Sequence, residues 1–271
     1  MRAGLVSLDC ASFGVEFRLA ADSDALLASM RECAPFGTLI RAVSCGEVRG
    51  FTLSNAKGGN GYRLEAADEV VAEGAEMQPA LDQFARDLMV HVANHAPDRV
   101  FVHAGVVGWQ GHAVMLPGSS FAGKTTLVAE LIRTGAAYYS DEYAVLDEHG
   151  RVHPYARELQ IREPGKAVQR SVAAEDLNGS VGIEPLAVSQ VVFTEYVEGG
   201  CWRPEPVSAG MAVLEMMRHA IPVRRTPARV MATLAKIMAT ATAVRSERGE
   251  ASEAVRSLLA TVSAVSSGRS A

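Results

Sequence analysis

Eight residues carry the clearest chemical signal in the chain. Gly118-Ser119-Ser120-Phe121-Ala122-Gly123-Lys124-Thr125 fits the phosphate-loop pattern G-x-x-x-x-G-K-[ST]. Glycines at both ends let successive backbone N–H groups converge on one concavity. A helix starting near Lys124 adds its positive N-terminal end. Lys124 is spaced to reach the β- and γ-phosphates of a nucleotide, and Thr125 to place its hydroxyl on Mg²⁺. With Thr126, these residues form the expected binding stretch for a nucleoside triphosphate, so the expected cofactors are ATP and Mg²⁺. The loop alone does not say what becomes of the γ-phosphate.

The second signal is an acidic pair, Asp141-Glu142. Sixteen residues separate Lys124 from Asp141, room for one helix and one strand. The carboxylates therefore arrive beside the loop. An acid on the very next strand suits a kinase in which one carboxylate takes the acceptor hydroxyl's proton and its neighbour helps hold Mg²⁺. A solvated acidic turn is the plainer alternative. Arg157 and Arg162 are candidates to face the phosphates, or simply surface arginines. Arg218, His219, Arg224, Arg225 and Arg229 form a basic cluster that suits an acidic partner, a nucleotide phosphate or a solvated face. His91 and His95 have metal-ligand spacing on a helix but no third ligand in view, and read as structural.

These residues need elements to position them. His112–Leu116 is a short apolar run of strand character, and residues 126–133 read as helix, closed by Gly135. Before it, Val100–Val107 is an apolar run broken by one histidine, and Gly108–Gly111 make a hairpin turn. Residues 136–140 form the next strand, with Asp141-Glu142 at its end. A hairpin over 143–153, a strand at 159–162 and a core strand at 189–196 follow. Residues 163–187 lack periodicity and read as a mobile region near an acceptor site. Helices are expected at 209–219, capped by Ser208, and at about 228–243 and 250–264. Upstream lie a strand near 14–19, a helix capped by Asp22-Ser23-Asp24, two or three strands within 38–72 with a turn at 55–61, and a helix opened by Pro79. Leu81, Phe84, Leu88 and Val92 share one face of that helix, which Pro97 ends.

The expected fold class is α/β, built on a phosphate-loop nucleotide-binding domain. The parts are a small α+β domain at 1–97, a kinase core at 98–200, a C-terminal helical part at 201–265 and a disordered tail at 266–271. The 271 residues are 48% hydrophobic, ample for a packed core. No apolar run is long enough to span a membrane, and charges interrupt the N-terminal segment, so no signal peptide is expected. A net charge of −5 gives no electrostatic case for nucleic acid. Cys10, Cys33, Cys45 and Cys201 are scattered and read as reduced, buried thiols of a cytoplasmic protein.

Phe101-Val102-His103-Ala104-Gly105, the loop, and the run from Gly135 to Asp141-Glu142 resemble the C-terminal catalytic domain of HPr kinase/phosphorylase. That family shares its nucleotide site with ATP-dependent phosphoenolpyruvate carboxykinases. The resemblance covers roughly residues 98–200 and is nearest to the shorter HPr-kinase-related proteins, some of which phosphorylate peptide precursors. It implies a mixed sheet and a kinase acting on a hydroxyl, expected to be serine, of a peptide or small protein, and it admits a homo-oligomer. It matches Asp141 to the catalytic acid/base, His103 to the histidine that tunes it, Lys124 to the loop lysine, Thr125 to the metal-binding hydroxyl and Glu142 to the second acid. The chain departs from the family in having Phe121 for glycine, Thr125 for serine and Glu142 for aspartate. The first 97 residues do not resemble the family's N-terminal domain. A small-molecule kinase of the shikimate-kinase type and a nucleotide-sensing module without catalysis are the alternatives.

Overall fold

A computed structural model describes residues 4–35, 37–41, 48–56, 60–118, 123–162 and 169–267. Ser119, Ser120, Phe121 and Ala122 therefore lie outside the described residues, as do Cys45 and residues 163–168 and 268–271; so does the Arg162 side chain. The chain is mixed α/β, with mixed sheets and helices, and divides into two compact units, Met1–Asp98 and Arg99–Ala271.

The first unit holds β1 (Val6–Ser12), β2 (Val15–Ala21), α1 (Asp24–Glu32), β3 (Leu39–Ile40), β4 (Arg49–Asn55), β5 (Tyr62–Ala66), β6 (Glu69–Gly74) and α2 (Met77–His95). The sheet order is β3-β1-β2-β4-β5-β6, with β2 and β4 parallel across α1 and the other pairs antiparallel. Ser23 caps α1, its hydroxyl accepting from the Leu26 N–H. Leu81, Phe84, Leu88 and Val92 of α2 are buried, as their spacing requires, and Phe84 meets Phe51 edge-to-face at 5.5 Å. His95 Nδ1 lies 2.8 Å from the His91 carbonyl oxygen, and the His91 ring stands edge-on to Phe51, so both are occupied within the helix packing.

The second unit begins with β7 (Val100–Trp109), β8 (His112–Pro117), α3 (Lys124–Arg133), β9 (Ala137–Ser140), β10 (Tyr143–Leu146) and β11 (Arg151–His153). It continues with β12 (Leu159–Arg162), β13 (Gln169–Val172), β14 (Leu186–Tyr196), β15 (Glu205–Val207), α4 (Ala209–His219), α5 (Pro227–Met238), β16 (Thr242–Arg248) and α6 (Ala251–Ser267). The main sheet runs β11-β10-β7-β8-β14-β16-β15, with β9 also on β7 and β11 also pairing with the first residues of β14. Strands β8, β14 and β16 are parallel to one another, and β7 is antiparallel to β8. One face packs Val107, Val114, Leu116 and Val192 against α3 and α6. The other packs Val102, Ala104, Val106 and Val191 against α4 and α5. Alternation along β7 thus divides the two cores.

Several expectations need correcting. The helix expected to about 243 ends at Met238, and Thr242–Arg248 form a strand: burial alternates over Arg245–Arg248, and the pairing with β14 overrides the local pattern. Residues 169–187 are not an unstructured stretch: β13 pairs with β12, Leu177 is buried, and the Tyr138 N–H donates to the Ser180 carbonyl at 2.7 Å. α6 continues to Ser267, past the expected start of the tail. The described cysteines are all free, but Cys10 alone is buried; Cys33 is half-buried and Cys201 exposed. Among the described residues, no helix is long and apolar enough to cross a membrane.

The β10–β11 hairpin is fastened by one side chain. Asp147 accepts from the backbone N–H groups of His149 and Arg151, both at 2.9 Å, and its other oxygen lies 2.9 Å from His153 Nε2. Burial raises the Asp147 pKa, but these partners outweigh it and hold the group below its ordinary value. A carboxylate with a depressed folded pKa stabilises the fold above its unfolded pKa and stops doing so as pH falls through the folded one. Asp147→Ala is expected to cost on the order of 1–3 kcal/mol at neutral pH. In urea titrations the gap to wild type should close as pH falls below about 4.

Candidate functional site

The described ends of the 118–125 stretch, Gly118 and Gly123, follow β8 and lead into α3. β7 and β8 meet in a tight hairpin whose central residues, Gln110 and Gly111, both have positive φ. β8 ends at Pro117, and the Gly118 N–H donates to the His103 carbonyl at 3.3 Å, which fixes where the loop departs. At the far end Gly123 has φ 76°, the left-handed region open to glycine, and a Cβ there would run into the Arg248 guanidinium. α3 then starts at Lys124. It closes in a Schellman arrangement, Gly135 N–H to Ile132 O and Ala136 N–H to Leu131 O. Gly105 on β7 lets α3 lie close to the sheet, since a Cβ there would stand 2.7 Å from Val128 Cγ2.

Lys124 is buried, and its ammonium donates to the Gly118 carbonyl at 2.9 Å, across the mouth of the loop. Burial pushes its pKa down to about 8, against the pull of Asp141 and Glu142. Thr125 is half-buried and helps hold down the pKa of nearby Asp141; Thr126 is exposed.

As their sequence suggested, the acids sit at the end of a strand: β9 stops at Ser140, and Asp141 and Glu142 follow it directly. The pairs Val106↔Ser140 and Tyr143↔His103 keep one antiparallel register, so β9 and β10 are one path along β7 with Asp141 and Glu142 between them. Gly105 and Ala104 stand opposite the acids, and the Ala104 N–H donates to the Glu142 carbonyl at 3.1 Å. The Ser140 hydroxyl accepts from the N–H groups of Glu142 and Tyr143, satisfying the opened ladder. Asp141 Oδ1 lies 3.2 Å from the Tyr138 hydroxyl, which also reaches the Arg157 carbonyl at 2.9 Å. Burial raises the Asp141 pKa, partly countered by Thr125, Tyr138 and the Arg157 charge. Burial also raises Glu142, opposed by the Arg157 guanidinium 3.2 Å away. Arg157 thus pairs with the second acid.

His103 shares its face of β7 with Tyr143, ring centroids 5.9 Å apart. Burial, then the charges of Lys124 and His219, push its pKa down to about 4 despite a hydrogen bond that the ring donates to the Gly118 backbone. His219 belongs here through geometry that its position in the sequence did not reveal. Ala220 bridges Val102 in antiparallel fashion, on the side of β7 that β8 leaves free, so His219 comes opposite His103. Burial lowers its pKa first, and Lys124 and Arg218 add to that against Glu215. Of the basic cluster, His219 is half-buried and close enough to Lys124 for its charge to be felt, whereas Arg218, Arg224 and Arg225 are exposed.

The structure therefore brings Lys124, Thr125, Asp141, Glu142, His103 and His219 into one neighbourhood. Among the described residues no three of His, Cys, Asp and Glu stand together as a self-sufficient metal site. Thr125 and the two carboxylates are hard oxygen donors, which suits a magnesium ion that draws its other ligands from phosphates and water. Compared with known proteins, the chain matches no family model and no curated protein.

Proposed function

We propose that the chain is an ATP-dependent kinase that transfers a γ-phosphoryl group to a hydroxyl, serine in a peptide or small protein, on a phosphate-loop fold of the HPr kinase/phosphoenolpyruvate carboxykinase type. One observation carries the reading: the half-buried carboxylate of Asp141, 3.2 Å from the Tyr138 hydroxyl, lies within electrostatic range of the loop lysine Lys124. A base must sit where acceptor oxygen and γ-phosphorus meet, and the strand after the loop helix delivers one there. The free thiols accord with a cytoplasmic setting.

In this reading Asp141 accepts the proton of the acceptor hydroxyl as its oxygen bonds to the γ-phosphorus. The bond from that phosphorus to the β,γ-bridging oxygen breaks, and ADP leaves with the electron pair. Lys124 exchanges the Gly118 carbonyl for phosphate oxygens, a stronger charge-assisted contact. Thr125 and Glu142 would hold Mg²⁺, which when bound neutralises charge on the β- and γ-phosphates. Arg157 offsets Glu142, and His103, with its pKa near 4, stays neutral at neutral pH. His219 adds a second ring beside the lysine, able to donate to a phosphate oxygen.

Incubation with Mg²⁺, γ-labelled ATP and either serine peptides or small alcohols tests the reading. Label on a peptide hydroxyl supports it. Turnover with a free alcohol alone points to a small-molecule kinase, and ATP binding without any transfer to a nucleotide-sensing module.

The Tyr138 hydroxyl lowers the Asp141 pKa against burial. Tyr138→Phe removes that help, so the Asp141 pKa should rise further. Activity needs the ionised base and falls as pH drops through this value. The acid limb of the kcat profile is therefore expected to move to higher pH, by about half to one unit, with activity at pH 9 close to wild type.

A further inference from the structure

His103, Asp141 and Glu142 lie on one flank of β8, along β7, β9 and β10. The other flank ends in a different kind of surface. β14 and β16 run parallel to β8 and finish on the same side of the sheet, at Tyr196 and Arg248, which are direct register partners. Ligands of such sheets bind beyond the carboxyl ends of the strands.

Arg248 is 2% exposed, unusual for an arginine. Its guanidinium donates to the Gly123 carbonyl at 2.8 Å and to the Gly249 carbonyl at 2.9 Å. Its Nε has no partner among the described residues. The guanidinium carbon lies 5.6 Å from the Tyr196 ring centroid, a cation–π contact. Tyr196 itself is 45% exposed, and its hydroxyl donates to Glu250 at 3.0 Å. A Cβ on Gly123 would stand 3.7 Å from Tyr196 Cβ, so Tyr196 adjoins the residue that leads into α3.

An apolar side chain would fill the Arg248 position without the cost of burying a cation. What the arginine adds is a rigid tie between the loop and one exposed aromatic ring. A triphosphate whose terminal phosphate lies on the β7 flank extends its other end toward β14 and β16, where that ring waits. A flat, pre-oriented ring next to a phosphate site fits a heterocyclic base.

We infer that Tyr196, braced by Arg248, is the stacking platform for the nucleobase of a nucleoside triphosphate whose phosphates occupy the 118–125 loop. The inference rests on the nucleotide reading above. The platform makes the site select a nucleoside triphosphate over a bare polyphosphate.

Calorimetric titration of the full chain with magnesium ATP and with magnesium tripolyphosphate, which lacks a base, tests it. The variants are Tyr196→Ala, Tyr196→Phe and Lys124→Ala, each checked by thermal melting. Tyr196→Ala should weaken ATP roughly 10- to 100-fold and leave tripolyphosphate unchanged, and Tyr196→Phe should retain most ATP affinity. Equal loss of both ligands in Tyr196→Ala would make the ring a mere prop for the loop and overturn the inference. So would unchanged ATP affinity in that variant, or equal affinity of the wild type for the two ligands. If Lys124→Ala loses both ligands while Tyr196→Ala loses neither, the platform falls and the loop reading stands. If the wild type binds neither ligand, both fall together.

Discussion

Asp141→Asn is expected to lower phosphoryl transfer by about 10²- to 10⁴-fold, the usual worth of a positioned general base. Asparagine keeps the size and still accepts from Tyr138, so the local fold should survive. It cannot take the acceptor's proton. The loss should therefore appear in kcat, with ATP affinity changed little, because the γ-phosphate contacts are assigned to other groups. Glu142→Gln is the internal comparison: a metal-binding role predicts that higher Mg²⁺ recovers part of its activity, while Asp141→Asn stays inactive at any Mg²⁺ concentration. Single-turnover quench-flow on both variants separates the two roles. An Asp141→Asn enzyme with intact fold and undiminished transfer would remove this carboxylate from the mechanism.

The second large effect belongs to Lys124. Its ammonium is buried and donates to the Gly118 carbonyl, with a pKa pushed down to about 8. A bound triphosphate supplies several negative charges and should restore the pKa to the ordinary lysine range or above. Free and bound states then hold different numbers of protons between pH 8 and 10. The sign follows from linkage: the bound state holds more protons, so affinity falls as pH rises through that window, by up to tenfold per unit. Calorimetry at pH 9 in two buffers of different ionisation enthalpy should show uptake of close to one proton per ATP. Lys124→Ala should abolish that uptake and weaken ATP by about 30- to 150-fold, as expected for losing charge-assisted bonds worth roughly 2–3 kcal/mol. In thermal melts, ATP at 100 times the wild-type Kd stabilises the wild type by about 2.7 kcal/mol and should barely move the variant.

What the sequence disclosed, and what it withheld, follows from how far apart the partners are along the chain. β8, the loop and α3 are contiguous, and their identities lie in local pattern and glycine placement. Asp141 and Glu142 were legible because a single helix and strand separate them from the loop. Their true setting was not, since only the shared register with β7 shows that the ladder resumes at Tyr143. β16 was hidden because Thr-Ala-Val-Arg-Ser-Glu-Arg carries charge on its exposed side and follows an alanine-rich helix. With it went Arg248, which meets Gly123 across 125 residues of chain. His219 was visible as part of a basic cluster, but its place opposite His103 depends on the bridge between Ala220 and Val102. Each miss is a tertiary pairing that overrode or supplemented local preference.

β7 carries a mechanical consequence. His103 fastens the start of the phosphate loop through its carbonyl, and its neighbour Ala104 fastens Glu142 through its N–H. Gly118 and the acid pair are thus gauged against consecutive residues of one rod, and their spacing inherits the stiffness of a central strand. The two can drift in concert with little penalty, whereas drift of one against the other strains a hydrogen bond. Frame matters as much as distance: inserting or deleting one residue between His103 and Gly105 would turn every later side chain of β7 to the opposite face. Such a change would swap the two cores at a stroke, leaving every residue of the phosphate loop in the sequence and none of them correctly aimed.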